Sequence, residues 1–399
     1  MDSIRVENKK LDKIFTRDFA FILLANFFIF LGFQMTLPTI PLFVHELDGS
    51  DRLVGIIVGI FTFSALLFRP YAGHALETKG RGFVYLSGLA LFILSIGSFG
   101  FVTSIVILIL FRIIQGIGWG FSTTASGTIA TDLIPPSRRG EGMGYYGLSG
   151  NIALAIGPGL GLTLVNIVSF PTLFIICAML GLVAFLISLN IRYKKIDKSP
   201  DKTRAARFDM IEKTAINPSI LLFFITLTFG GIATFLPIYA LEKDVAGIQL
   251  YFVVYALFLM ISRVFAGRIY DLKGDLYVIP PGTVLIITAM LLLSWLPNTA
   301  VLIIAAALYG FGFGTVQPAL QAWAVEKAPE NRKGMANATF FSFFDLGIGV
   351  GAILFGQIAY LFNYGLIYII SACSVTITLL YYLFLVITKR RVVKNIKES

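Results

Sequence analysis

Long apolar runs, each of about twenty residues or more, alternate along the chain with short polar stretches. A helix that crosses a bilayer needs about 20 mostly apolar residues. Twelve runs meet that length: Asp18–Val44, Leu53–Leu76, Phe83–Phe101, Ile105–Thr131, Met143–Ile167, Phe170–Ile191, Ser219–Ala240, Ile248–Leu272, Leu276–Leu296, Ala300–Val325, Met335–Leu361 and Gly365–Thr388. The pattern predicts an all-α membrane protein with 12 transmembrane helices. The first run is too long for a cleaved signal and lacks a small-residue cleavage site, so it is expected to remain as a helix.

One stretch between the runs, Arg192–Asn217, is polar, basic and contains Pro200. It divides the chain into a predicted six-helix bundle over residues 1–191, a linker over 192–217 and a second bundle over 218–399. The two parts repeat each other at an offset of 194. Arg69-Pro-Tyr-Ala-Gly73 falls on Arg263-Val-Phe-Ala-Gly267, Glu77 on Asp271, and Lys79-Gly80 on Lys273-Gly274. The same offset carries Gly116, Gly118 and Gly120 onto Gly310, Gly312 and Gly314. It also carries Asp132 onto Glu326, Arg138-Arg139-Gly140 onto Arg332-Lys333-Gly334, and Gly157 onto Gly351. A constant register across three loops indicates duplication. Two parallel six-helix repeats are a transporter plan, with the solute site between them near mid-membrane.

Composition strengthens the membrane reading. The chain is 57% hydrophobic and only 14% charged, with a mean hydropathy of +0.85, against about 25% charge in soluble domains. The net charge of +10 does not indicate nucleic acid, because the basic residues cluster at alternate ends of the apolar runs. They crowd the segment before the first span, the central stretch, the C-terminal tail and the even-numbered loops. Arg52 and Lys243 fall outside this bias, and Arg69, Arg112 and Arg263 lie within spans. This bias places both termini and the linker in the cytoplasm, and the expected location is the cell's plasma membrane. Cys177 and Cys373 lie in apolar runs and read as small buried hydrophobes. His45 and His74 are far apart, and no metal-binding or nucleophile motif is present, so neither an enzyme nor a metal site is expected. Without a P-loop pattern, direct ATP drive is not expected either. No cofactor is predicted.

Three segments carry a family likeness. The loop after the second span reads Gly73-His-Ala-Leu-Glu77-Thr-Lys79-Gly80-Arg81. The fourth span reads Arg112-Ile-Ile-Gln115-Gly116-Ile-Gly118, and the fifth reads Gly150-Asn-Ile-Ala-Leu-Ala-Ile-Gly157-Pro158-Gly159-Leu-Gly161. Together they resemble the loop signature, the span-4 motif and the proline-containing span-5 motif of the major facilitator superfamily. Glu77 stands where that superfamily usually has Asp, and the basic cluster is thinner. The resemblance covers nearly the whole chain and implies the major facilitator fold, two pseudo-symmetric six-helix bundles. The span-5 motif implies proton-coupled export. Phe68–Gly73 is similar to exporters of the drug and metallophore type.

Each motif also has a physical reading. Small residues let helices approach closely where lipid provides no hydrophobic drive to pack them. Gly157, Pro158 and Gly161 are expected to bend the fifth span or to serve close packing. Glu77 and Asp271 are placed to pair with Arg138 or Arg332, or to cap a helix start across the half-interface. With Arg69, Gly73, Arg81, Arg263 and Gly267 they form the expected cytoplasmic gate, the alternative being solvated loop charges.

An ionisable side chain deep in the membrane is costly and so marks function by default. Asp345 lies about 15 Å into its span from the inner end and is the one acid at that depth. Its repeat partner is the neutral Asn151. It either carries a proton or a cationic solute, or closes an ion pair with a facing arginine. For Arg112 the resemblance implies a part in proton coupling, against simple anchoring to neighbouring carbonyls. Spans 1, 4, 7 and 10 line the pathway in the resembled superfamily. Asn26, Gln34, Gln115, Gln317, Trp119, Tyr239 and Tyr309, with Asn151, are therefore the cavity candidates. Interhelical hydrogen bonding and packing are the competing uses of the same side chains.

The function these features imply is secondary active transport by alternating access: an H⁺-coupled exporter of small amphipathic organic molecules, expected to act as a monomer. The alternatives are an ion-coupled nutrient importer, a lipid flippase or a non-transporting membrane sensor.

Overall fold

A computed structural model describes residues 13–135, 138–194, 211–329 and 333–398. Among these residues are twelve long helices: α1 Arg17–Glu46, α2 Asp51–Thr78, α3 Arg81–Phe99, α4 Ile105–Leu133, α5 Arg139–Val165, α6 Phe170–Ser188, α7 Ile216–Glu242, α8 Ile248–Lys273, α9 Ile279–Trp295, α10 Thr299–Glu326, α11 Lys333–Leu361 and α12 Tyr364–Glu398. Eleven of them are long and apolar enough to cross a membrane. In α8 the apolar run of the sequence continues past Arg263 through Val264-Phe265-Ala266-Gly267, with Arg268, Asp271 and Lys273 after it. Of the predicted linker, residues 195–210 lie outside the described residues, and residues 216–217 already form the first turn of α7.

Successive helices run in opposite directions. The starts of odd-numbered helices and the ends of even-numbered ones therefore share one face, the linker face; the opposite one is the far face. Local chemistry fixes several ends. The Thr16 hydroxyl accepts from the Phe19 amide to cap α1, and the Asn298 side chain accepts from the Val301 amide to cap α10. After α2 and α8 the chain turns through Gly80 at φ +100° and Gly274 at φ +85°. These two positions are repeat mates, and both need the left-handed backbone that only glycine adopts freely.

The repeat is visible in the packing. α1 rests on α5 and α6, α2 on α4, and α3 on α4 and α6. α7 rests on α11 and α12, α8 on α10, and α9 on α10 and α12, which is the same scheme. Glycines make these approaches possible. A Cβ at Gly116 would collide with the carbonyl oxygen of Phe61, and one at Gly310 with that of Tyr255. A Cβ at Gly120 would stand 2.7 Å from the Ala65 oxygen, and one at Gly314 would stand 2.7 Å from the Leu259 oxygen. In lipid, where burial of apolar surface drives little, backbone contact of this kind holds helices together. Large apolar side chains such as Leu67, Leu94, Val106, Leu110 and Phe384 cover the outside, where acyl chains solvate them.

Candidate functional site

The two six-helix groups meet along two seams, α2 on α11 and α5 on α8, with α1 and α7 touching between them. The first seam is tight toward the far face. In the first, Gly55 lies against the Ala352 carbonyl. A Cβ at Gly356 would stand 2.7 Å from the Asp51 oxygen, and one at Gly349 would stand 2.9 Å from the Thr62 side chain. In the second, Gly159 packs against Val253. Beside this contact an apolar cavity of about 380 Å³ opens between α5 and α8, lined by Ala155, Ile156, Leu160, Ala256, Leu257 and Met260. At the far face itself the Tyr364 hydroxyl donates to Asp51 Oδ1 at 2.7 Å, and His45 Nε2 lies 2.9 Å from the same oxygen. Toward the linker face, Gly73 on α2, Gly127 on α4, and Gly144 and Gly147 on α5 border open space. Among the described residues, the groups are joined at the far face and border open space toward the linker face.

Where the α2–α11 seam ends, an ion pair bridges it. Arg69 Nη2 lies 2.6 Å from Asp345 Oδ2, and both side chains are only about a quarter exposed, 23% and 26%. Arg69 sits two turns beyond Thr62, on the side where α2 begins to leave α11. The sequence placed Arg69 with the cytoplasmic gate and Asp345 with proton coupling; the structure joins them into one feature.

The repeat mate of Arg69 is differently placed. Arg263 Nη2 donates to Gln317 Oε1 at 3.1 Å within the second group. Gln317 Nε2 donates onward to Gln321 at 3.4 Å. Arg263 Nε is buried without a partner among the described residues. Asn151, opposite Asp345 in the repeat, is half-buried on α5.

Arg112 is enclosed within the first group, 1% exposed. Its Nε donates to the Ile57 carbonyl at 3.1 Å, its Nη1 donates to Gln115 Oε1 at 2.6 Å, and the guanidinium lies 4.5 Å from the Phe61 ring. Fixed in this way, it ties α4 to α2.

A twelve-helix bundle with two equivalent halves, and an ion pair across the seam between them, matches a known family along its length. The model of the Major Facilitator Superfamily matches residues 22–352 and 278–399. The chain belongs to the major facilitator superfamily. Within the superfamily it is similar to the staphylopine export protein of Staphylococcus aureus, 25% identical over 361 residues that cover 86% of this chain and 89% of that protein. It is also similar to multidrug resistance protein 1 of Bacillus subtilis, 25% identical over 347 residues, 84% of this chain and 88% of that one. Its fold matches, with a TM-score of 0.72 and 15% identity, a bacterial homolog of the human lysosomal transporter Spinster in an inward-facing, occupied conformation, over 92% of this chain and 95% of that one. This major facilitator is therefore a multi-pass membrane transporter, and its relatives include exporters.

Several cavity candidates of this transporter are turned into their own half. Trp119 is 6% exposed and stacks on Phe33, with ring centroids 4.3 Å apart. Tyr309 is fully buried and its hydroxyl lies 3.0 Å from that of Thr228. Tyr239 donates to the Ser294 carbonyl near the far face. Gln115 is occupied by Arg112. Asn26 is buried, with Nδ2 donating to Ser149 at 2.8 Å; the Tyr146 hydroxyl donates to Ser126 at 2.9 Å beside it. Gln34 is packed against Gly157. Helix α5 runs unbroken through Gly157, Pro158 and Gly161, and Gly161 admits the Met35 backbone of α1. In this motif close packing is the observed role.

Of the expected gate, Arg81 pairs within its own half, 3.1 Å from Asp132, and also donates to the Leu76 carbonyl. Arg138 immediately precedes α5. The side chains of Glu77, Gly267 and Asp271, and residue Arg332 altogether, lie outside the described residues. The sequence reading missed Asp51 and Tyr364. The only hint was an acid two residues before the second predicted span, where a helix start favours negative charge.

Proposed function

We propose that this transporter is a proton-coupled exporter of small amphipathic organic molecules. It works by alternating access as a monomer in the plasma membrane, with the linker face cytoplasmic. The observation that carries the reading is the Arg69–Asp345 pair, an acid and a base on opposite halves at the point where the seam opens. The charge bias of the loops supports the orientation, and the exporters among the relatives support the direction.

In this reading the proton acts on the pair. Release of a proton from Asp345 to the linker face leaves a carboxylate that Arg69 captures, holding α2 against α11. A solute entering from the linker face weakens that hold, and the halves rock apart at the far face. Asp345 then meets the outer solution and is protonated. The neutral acid no longer needs Arg69, and the empty carrier returns. One cycle thus moves a solute outward and a proton inward.

The test is reconstitution of the wild type and Asp345→Asn in liposomes, with internal pH recorded while lipophilic cations and zwitterions are presented. Solute-triggered proton flux in the wild type and none in the variant is the expected result. Flux retained in the variant would remove Asp345 from the coupling path. No flux with any compound would overturn proton-coupled export.

A further inference from the structure

The two seams should carry equivalent charges, because the halves are copies, yet they do not. At Arg69 the repeat supplies Asp345; at Arg263 the equivalent position holds Asn151. The result is an arginine with no ion pair among the described residues, bound through Nη2 to the amide oxygen of Gln317, with a buried and unpartnered Nε–H. A guanidinium stays charged at any ordinary pH, and a charge withdrawn from water without a counter-ion is costly. An amide oxygen satisfies one donor and neutralises nothing. The missing element is an anion of about carboxylate size, which the guanidinium fork grips by two parallel hydrogen bonds.

We propose that the transported molecule supplies it. Arg263, held by Gln317, is the binding point for a carboxylate on the solute, so the cargo is an amphipathic organic acid or zwitterion. This rests on the exporter reading and narrows it. An apolar bed adjoins the site. Phe313 lies one turn before Gln317 on α10 and stacks on Tyr309, with centroids 5.8 Å apart. Phe313 also meets Phe344 edge-on at 6.3 Å, and Phe344 immediately precedes Asp345. Phe341 and Phe344 are half-buried, leaving ring surface for the body of such a molecule. The solute's acid then does at Arg263 what Asp345 does at Arg69, so binding completes the second seam.

The experiment compares three probes with one apolar body: 1-naphthylacetate, its primary amide, and 1-naphthylmethylamine. Binding to the purified full-length protein is titrated for the wild type, Arg263→Gln, Arg263→Lys and Asn151→Asp. Proton flux with the same probes is recorded in proteoliposomes. The acid is expected to bind the wild type at least tenfold more tightly than the amide. Arg263→Gln should erase that preference and Arg263→Lys should keep part of it. Asn151→Asp rebuilds the missing acid in the chain, and should cut acid affinity at least tenfold. Equal binding of acid and amide by the wild type, or unchanged acid affinity in both Arg263→Gln and Asn151→Asp, overturns the proposal. If only the amine binds and drives proton flux, the exporter reading survives and this inference falls. If the acid binds through Arg263 and no proton moves, this inference survives and the coupling falls.

Discussion

Tyr364, at the first position of α12, donates a 2.7 Å hydrogen bond to Asp51, at the first position of α2. The bond ties the halves at the far face, and His45 closes on the same carboxylate. Tyr364→Phe removes a hydrogen bond to a charged group, which is worth roughly 1.5–3 kcal/mol. The expected effect is a shift of about tenfold or more toward far-face opening. It would be read as faster labelling of a cysteine placed at Thr62 by a membrane-impermeant thiol reagent, in a background lacking Cys177 and Cys373. Unchanged labelling would show that the glycine contacts alone hold this face.

The Arg69–Asp345 pair gives a second prediction. Arg69→Gln or Asp345→Asn alone should each lower thermal stability by about 1–3 kcal/mol, below the cost of breaking a fully buried pair because both side chains are partly solvated. The exchanged variant, Arg69→Asp with Asp345→Arg, should recover most of that loss in a melting experiment. Non-recovery would mean that each residue is held by its own half rather than by the other.

The repeat predicts equal penalties at equivalent glycines. Gly116→Val and Gly310→Val each force a side chain into a backbone carbonyl, so each should cost about 1–3 kcal/mol or more. Gly127→Ala, which meets open space, should raise stability by about 0.5–1 kcal/mol through helix propensity. Melting temperatures of the three variants decide it, and a destabilising Gly127→Ala would place another surface against α4.

Arg112→Lys keeps the charge but loses the fork that spans Ile57 and Gln115. A loss of about 1–3 kcal/mol is expected, from one hydrogen bond to a charged group and the stranded acceptor. If stability holds while proton coupling fails, Arg112 belongs to the proton path and not to the brace between α2 and α4.

The helices, their order and the duplication were legible in the sequence because they rest on local rules: run length, alternating basic loops, and a fixed offset that brought Gly116 and Gly310 to the same contact. Asp345 also stood out in the sequence, since a carboxylate at mid-membrane is conspicuous. Its partner was not. Arg69 and Asp345 are distant in sequence and belong to different halves, and no period in the chain fixes how one half is turned against the other. The same gap hid Asp51 and Tyr364. It also left the aromatic candidates undivided between cavity and packing: Trp119 and Tyr309 lie on pathway helices, but a helix in lipid is apolar on every side, so its pattern does not say which side meets the cavity. The asymmetry of Asp345 and Asn151 was readable from the repeat, whereas the consequence for Arg263 needed the position of Gln317.

The α5–α8 seam, in contrast to its counterpart, is built at its far end from Ala155, Gly159, Leu160, Val253, Ala256 and Leu257. None of these side chains titrates, so the work of parting them is the same in acid and alkali and at low and high salt. The molecule is thus fastened with a charged clasp along one edge and an uncharged slip joint along the other. An agent that screens or neutralises charge therefore acts on one edge only, and the two edges do not yield equally.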